Sequence, residues 1–266
     1  MKEGWNVPGT EREDHEGAGM KLTVVGCSDA FGSGGRLQTC FHVSAWGTEF
    51  LIDCGATALI GLQKLGIDPN GVSAIFVTHL HGDHFGGLCW WLIHANHVSG
   101  RTAPLTVAGP AGIEARFTAA AEALYPGSTA TPRRFDLKFI EFAKETPLDV
   151  GGLRVTPFEV VHPSGAPPYA LRFEVEGKVV TFTGDTEWVE SLIPAAQNAD
   201  LFIAECYGFE REARHHMNWR TIEKNLDRLG ARQVMITHMG EEMLANTDAV
   251  RDRRVMVAWD GLTLSL

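Results

Sequence analysis

The sequence predicts an α/β (α+β) fold in which mixed β-sheets are covered by helices. Strand-like segments recur along the chain, either alternating or continuously apolar, and several segments have helical character. The helices are grouped and do not alternate strictly with the strands, which favours mixed sheets over a regular parallel barrel. Hydrophobic residues make up 44% of the 266 residues, enough for a sizeable core.

The first half of the chain is predicted to begin with strands and then to add helices. A β-rich run ends at Gly26, and a hairpin is expected around Gly47-Thr48. Four consecutive apolar residues, 74–77, indicate a strand buried on both faces. The predicted strands are 21–25, 40–46, 49–52, 74–77 and 105–107, and the predicted helices are 57–65, 85–97 and 113–124.

The second half is predicted to be richer in strands. Glu176-Gly177-Lys178 indicates a turn between two of them. The predicted strands are 137–142, 153–160, 170–175, 179–183, 200–204, 234–237 and 255–259, and the predicted helices are 189–196, 219–229 and 241–251. The polar segment 1–19 is interpreted as a disordered tail, which leaves a single domain over 20–266.

The net charge and the cysteines indicate which kinds of partner and which cellular compartment the protein has. The formal net charge of −10 argues against a nucleic-acid binder, because a phosphate backbone is bound by a basic face. Five scattered cysteines without a CxxC pair indicate reduced thiols and a cytoplasmic location. The sequence has no apolar run of transmembrane length, so no membrane span is expected.

A cluster of metal-binding residue types follows the buried strand 74–77. His79, His81, Asp83 and His84 lie within six residues. Imidazole and carboxylate are the usual nitrogen and oxygen ligands of zinc and related ions, whereas a packed core would not accept four polar side chains. The pattern therefore predicts a metal site, with a histidine-rich surface loop as the alternative.

Three later segments repeat the pattern of an apolar strand followed by a potential ligand. They end in His162, Asp185 and His238. Each residue alone has a structural interpretation, such as a helix cap for Asp185 or a packed histidine. Together with the first cluster they supply seven ligands, which fit two metal ions that share one bridging carboxylate.

On these motifs the sequence resembles the metallo-β-lactamase superfamily over residues 20–266. The signature HxHxDH spans His79 to His84, and Gly-Asp-Thr and Thr-His motifs follow at Asp185 and His238. The resemblance implies a four-layer αβ/βα sandwich of two mixed sheets flanked by helices. It also implies ligands as follows: metal one on His79, His81 and His162; metal two on Asp83, His84 and His238; and Asp185 as the bridge.

The later region looks most similar to the phosphodiesterase branch that includes ribonuclease Z. In that branch a further histidine precedes the last ligand at the start of a helix, and His216 fits this position. It is predicted to act as a general acid, with Glu205 orienting it; the alternative is a histidine that merely begins a helix. Only 22 residues separate His162 from Asp185, so the long tRNA-binding arm of the branch is missing, which argues against a tRNA substrate.

The resulting hypothesis is a dinuclear metal-dependent hydrolase whose activated hydroxide attacks a small phosphodiester or nucleotide. Two Zn2+ ions are expected, with Mn2+ or Fe as alternatives, and Asp83 is a second catalytic candidate as a proton acceptor. Arg36, in the Gly-rich segment 28–36, and Trp90 are candidate substrate contacts. Hydrolysis of a lactone, thioester or β-lactam is one alternative function, and a non-catalytic metal-binding regulatory protein is another. A homodimer is left open.

Overall fold

Two seven-stranded β-sheets form the centre of the molecule in the computed structural model, which describes residues 19–266. Apart from Gly19, the predicted tail lies outside the described residues. The first sheet contains β1 (Lys21–Gly26), β2 (Cys40–Ala45), β3 (Thr48–Ile52), β4 (Val72–Phe76), β5 (Leu105–Gly109), β6 (Leu137–Glu141) and β14 (Thr263–Ser265). The second contains β7 (Leu148–Val150), β8 (Leu153–Glu159), β9 (Tyr169–Val175), β10 (Lys178–Phe182), β11 (Leu201–Glu205), β12 (Gln233–Thr237) and β13 (Val255–Val257).

Both sheets are mixed and share one pattern of strand directions. Their strand orders are β14-β1-β2-β3-β4-β5-β6 and β7-β8-β9-β10-β11-β12-β13. In each order the first three pairings are antiparallel and the last three are parallel. The parallel strands β4, β11 and β12 are buried nearly throughout, as expected when both faces of a strand are covered.

Helices cover the outer face of each sheet. They are α1 (Ala58–Lys64), α2 (Gly82–Phe85), α3 (Gly87–His97), α4 (Ile113–Leu124), α5 (Leu192–Ala196), α6 (Trp219–Leu229) and α7 (Glu241–Ala245). One apolar cluster fills the space between the sheets, where Phe50 stacks on Phe173 with ring centroids 5.4 Å apart. A second cluster packs the first sheet against α1, α3 and α4, and a third packs the second sheet against α5 and α6. The predicted α/β fold of two mixed sheets flanked by helices is confirmed.

Several helices have bounds that differ from the predicted ones. The predicted helix 85–97 begins earlier and is divided at Gly86 into α2 and α3, while the helix predicted over 241–251 ends at Ala245. The short strands β7 and β14 were not predicted. None of the helices within residues 19–266 is long and apolar enough to cross a membrane.

Candidate metal centre

All seven predicted ligands lie just beyond the carboxyl ends of strands. His79 and His81 are in the loop after β4, and Asp83 and His84 are on the short helix α2 that this loop enters. The other three follow strands of the second sheet: His162 after β8, Asp185 after β10 and His238 after β12. The edge where the two sheets meet therefore collects side chains that are up to 159 residues apart in sequence.

The structure brings these side chains into two adjoining groups. The ligand atoms of His79, His81 and His162 lie within 4.8 Å of one another. The same limit holds for a second group, whose members are Asp83, His84, Asp185 and His238. Asp185, which the resemblance implied as the bridge, falls in the second group by this limit, and His216 lies within the same limit of His162 and Asp185.

Asp185 stands between the two groups. Its Oδ2 atom is 3.8 Å from Nε2 of His79 and 3.8 Å from Nε2 of His162. The same carboxylate reaches the second group, with Oδ1 3.3 Å from Nε2 of His84 and Oδ2 3.3 Å from Nε2 of His238. A carboxylate within 3.8 Å of imidazole nitrogens from both groups has the position that a bridging ligand requires.

Unpaired polar atoms test whether the group of residues fits metal ions. Nε2 of His79, Nε2 of His84 and Oδ1 of Asp185 are buried and have no hydrogen-bond partner among the described residues. Buried polar atoms are nearly always paired, so several buried lone-pair donors that share one small space fit a bound cation. The donor set of imidazole nitrogens and carboxylate oxygens fits zinc or a related divalent ion.

Asp53 and Thr78 fix the orientation of two of the imidazoles. Asp53, at the end of β3, is fully buried, and its Oδ2 accepts a 2.6 Å hydrogen bond from Nδ1 of His84. The Thr78 hydroxyl donates to the same oxygen at 2.9 Å and lies 3.0 Å from Nδ1 of His79. With both Nδ1 atoms engaged, the Nε2 lone pairs of both rings are directed into the site, as ligand orientation requires.

His162 is held by the backbone of a different loop. Its Nδ1 donates to the carbonyl oxygen of His215 at 3.0 Å, which leaves Nε2 directed toward His81 and Asp185. His215 has a φ of 65°, which is a left-handed backbone conformation. In this conformation its carbonyl oxygen faces His162, and the next residue, His216, faces the site. One strained position thus places two functional side chains.

The charge states of the cluster suit metal binding. Burial, reinforced by the nearby His84, holds the pKa of His79 well below its usual range, and burial lowers that of His162 to about 4. Burial by itself would raise the pKa of Asp185, but His238 and His84 outweigh it and hold the pKa well below its usual range. These neutral imidazoles and the ionised carboxylate are in the states that ligate metal ions without first losing a proton. His84 and His238 are the exceptions: burial would lower the pKa of each ring, but Asp185 and neighbouring carboxylates outweigh it and raise the pKa, so an ion bound there displaces a proton.

His216 and Glu205 form a hydrogen-bonded pair beside the cluster. Nδ1 of His216 lies 3.0 Å from Oε1 of Glu205, a fully buried carboxylate at the end of β11 that also accepts from the backbone N–H of Thr186 at 2.8 Å. Burial opposes protonation of His216, but the hydrogen bond and charge of Glu205 outweigh it and raise its pKa to about 9. The ring of His216 is therefore protonated at neutral pH.

A cavity of about 430 Å³ opens over the cluster. Ligands and His216 form its floor, and the side chains on its rim include Phe31, Tyr207, Arg211, Glu212 and Arg214. Neither Arg211 nor Arg214 forms an ion pair within the described part of the chain, and both are exposed. With the exposed Glu212, these two arginines give the rim a net formal charge of +1, which favours an anionic molecule entering the cavity.

The two predicted substrate contacts lie farther from the cluster. The structure places Nη1 of Arg36 2.8 Å from the carbonyl oxygen of Ala258, and Arg36 does not line the cavity. Trp90 lines a neighbouring groove that shares Asp83 and Ala30 with the cavity. No structural contact singles out either residue for substrate binding.

A family model described as the anti-Pycsar protein Apyc1 matches residues 20–259. The chain belongs to the Apyc1 family. The matched region includes all seven residues of the two groups, together with Glu205 and His216.

Relatives of this Apyc1-family chain carry the names of hydrolases. It is 26% identical to "Probable metallo-hydrolase YhfI" of Bacillus subtilis over 232 residues, 83% of this chain and 87% of that protein. It is 24% identical to ribonuclease Z of Agathobacter rectalis over 281 residues, 86% of this chain and 90% of the other.

Solved structures confirm the metallo-β-lactamase fold. The B. subtilis YhfI structure superimposes with a TM-score of 0.77 at 25% identity, covering 93% of this chain and 99% of that one. The short form of human tRNase Z (ELAC1) gives a TM-score of 0.75 at 21% identity, covering 92% and 98%. The expected membership of this superfamily, with ribonuclease Z among the chain's relatives, is thereby confirmed.

Proposed function

We propose that the chain is a dinuclear metal-dependent hydrolase that cleaves a small phosphodiester, such as that of a nucleotide. The observation that carries the proposal is the position of Asp185 between two complete ligand groups, with the protonated His216 beside them. A structural cluster would not need a general acid at the floor of an open cavity.

The ligand groups assign the metals. His79, His81 and His162 would hold one ion and Asp83, His84 and His238 the other, with Asp185 shared between them. Divalent ions bound there supply an activated hydroxide and neutralise negative charge that develops on the phosphoryl oxygens. Zn2+ suits these donors, and Mn2+ or Fe are the alternatives.

The chain's own residues complete the reaction. His216 would protonate the departing alkoxide oxygen, because its ring lines the cavity and its hydrogen bond to Glu205 favours the charged form. Glu205 holds Nδ1 of that ring, so the proton to be given away is the one on Nε2. Asp83 lines the same cavity and is the proposed proton acceptor.

A small substrate is favoured over tRNA. The 22 residues between His162 and Asp185 contain the hairpin of β9 and β10 and no inserted arm. Positive charge at the rim of the cavity is confined to Arg211 and Arg214, which suits one or two phosphoryl groups better than a long nucleic-acid backbone.

Five substrates test the proposal with zinc-loaded protein: bis-p-nitrophenyl phosphate, a 3′,5′-cyclic nucleotide, a precursor tRNA, a lactone and nitrocefin. Turnover of the first two is expected. Turnover of the lactone or nitrocefin without any diester hydrolysis would replace the phosphodiesterase assignment by the carbon-centred alternative. No turnover of any substrate despite full metal loading would favour the regulatory role.

Metal content tests the dinuclear assignment separately. About two ions per chain are expected under saturating zinc, and Asp185→Ala should lower the number retained after desalting, because it removes the shared ligand. Wild-type protein that retains no more than one ion at saturation would refute the two-ion site. The cytoplasmic location and the homodimer remain predictions.

A further inference from the structure

Phe31 is the most exposed large hydrophobic side chain in the described region. Its side chain is 86% exposed, and it lines the cavity over the ligand cluster. Gly32, Ser33, Gly34 and Gly35 follow it, so the ring does not continue into an apolar surface along the loop. A single exposed ring is enough to contact a small molecule, whereas a protein interface requires a broad apolar patch.

The loop that carries Phe31 is held in one conformation by Asp29. This carboxylate is 2% exposed, and its Oδ1 accepts from the backbone N–H groups of Phe31 at 3.1 Å and Ser33 at 3.0 Å. The hydroxyl of Ser33 donates to Oδ2 at 2.7 Å. Gln38 adds a bond from Nε2 to the carbonyl oxygen of Ala30 at 3.0 Å. An exposed ring on a braced loop loses little conformational entropy when it binds a ligand.

The floor of the cavity carries reactive polar side chains, and its rim carries an aromatic ring and charged side chains. Asp83 and His216 lie on the floor, where the phosphoryl group reacts in the proposed function. Phe31 lies on the rim of the same cavity, together with the cations Arg211 and Arg214. A phosphodiester with its phosphate at the floor would leave its retained organic group at the rim, within the part of the cavity that Phe31 lines.

We infer that Phe31 is a specificity-determining residue on which a planar ring in the retained group of the substrate, such as a nucleobase, stacks. The inference rests on the proposed hydrolase function and adds a preference within it: diesters whose retained group carries a ring are selected over diesters whose retained group does not. Asp29 contributes as a positioning residue, because its bonds fix the loop.

Two diesters with the same leaving group test this inference. Thymidine 5′-(p-nitrophenyl phosphate) and methyl p-nitrophenyl phosphate differ only in the group that is retained. We expect wild-type protein to favour the thymidine ester in kcat/KM by about 10- to 100-fold, the range that stacking of one base supplies. Phe31→Ala should bring this ratio close to one, and Phe31→Trp should preserve it.

Val98→Ala is the matched control, because Val98 is also highly exposed, at 73%, but does not line the cavity. It should keep the wild-type ratio. If Phe31→Ala changes both esters equally, or neither, the stacking role is overturned. If it keeps the ratio but dissociates an oligomer in sedimentation, Phe31 belongs to an interface between copies, which also overturns the inference.

A binding measurement separates this inference from the proposed function. Calorimetry of metal-loaded protein with thymidine 5′-phosphate should show binding that Phe31→Ala weakens by about 10- to 100-fold. If wild type hydrolyses neither ester, the hydrolase proposal fails, and this titration still decides whether Phe31 holds a ring. Equal affinity of wild type and Phe31→Ala for the nucleotide would overturn the stacking role on its own.

Discussion

Nδ1 of His84 lies 2.6 Å from Oδ2 of Asp53, and both side chains are completely buried. The hydroxyl of Thr78 bonds to the same carboxylate oxygen and reaches Nδ1 of His79. One carboxylate that ligates no metal in the proposed site therefore orients an imidazole from each ligand group. Asp53 thus links the two groups on the Nδ1 side of the imidazoles, whereas Asp185 links them on the Nε2 side.

Asp53→Asn is expected to lower the affinity for metal by about 10- to 100-fold, the usual effect of losing an outer partner of a ligating histidine. The amide places an N–H group where Asp53 accepts hydrogen bonds from Thr78 and His84. Competition with a chromogenic zinc chelator measures the change.

Glu49→Gln is the matched control for Asp53→Asn. Glu49 is on the same strand, β3, and pairs with His42 at 3.1 Å, outside either ligand group. Its substitution should leave metal affinity at the wild-type value. Equal losses in the two variants would show that the effect is general destabilisation of β3 and does not come from orientation of the ligands.

His216→Ala is expected to lower kcat by about 10²- to 10⁴-fold for diesters with an alkoxide leaving group. The loss should be much smaller for bis-p-nitrophenyl phosphate, because p-nitrophenolate leaves without needing a proton. A plot of log kcat against leaving-group pKa should therefore be steeper for the variant. Parallel plots for variant and wild type would contradict the general-acid role.

His215→Asn controls for the neighbouring position, since asparagine tolerates the left-handed backbone found there. The His215 side chain is 3.4 Å from Glu187, and its contribution to the site is the backbone carbonyl that accepts from His162. The variant should show the wild-type slope in the same plot.

Arg211 and Arg214 are predicted to attract anionic substrates. The double substitution Arg211→Gln and Arg214→Gln should raise KM for a diester by about tenfold and flatten its dependence on salt, because exposed charges act over about 10 Å at 0.1 M ionic strength. Arg133→Gln with Arg134→Gln removes the same charge from residues that do not line the cavity. If both double variants respond alike, the net charge of the protein is responsible and the position of the arginines is not.

The five cysteines are predicted to be inert in the native protein. All are buried; burial, together with Asp260, raises the pKa of Cys27 to about 12, and burial raises that of Cys89 to about 11. Because the thiolate is the reactive form, a raised pKa keeps these groups protonated and unreactive at pH 8. A thiol-specific chromogenic reagent should react slowly with folded protein and label all five cysteines in guanidinium. Rapid labelling of folded protein at pH 8 would contradict this.

The sequence predicts correctly those helices and strands whose start and end are marked by nearby residues. The helix predicted over 219–229 matches α6, which Asn218 begins with a side-chain cap to the N–H of Thr221 and Gly230 ends in a left-handed conformation. By contrast, β14 has three residues and pairs with β1, with Thr23 and Thr263 240 positions apart. A pairing over that distance leaves no local pattern in either segment.

The candidate site was predictable to the extent that ligand chemistry is visible in residue type. Histidine and aspartate after apolar strands mark a metal site directly. Asp53 directly follows the strand predicted over 49–52, but the sequence does not assign it to His84, because that bond depends on how β3 and β4 lie side by side. Arg36 and Phe31 share one loop, and sequence alone does not reveal which of the two side chains turns toward the cavity.

The ligand groups draw on both sheets, since one group takes His162 from the second sheet and His79 from the first, and the other joins His84 to His238. Metal bound in the proposed way is thus a cross-link between two halves that otherwise meet through apolar side chains and backbone hydrogen bonds such as that from Tyr169 to Thr78. Its removal should loosen that edge of the sandwich first. Amide hydrogen exchange should then rise in the loops after β4, β8, β10 and β12, well before it rises at the paired Phe50 and Phe173 in the interior.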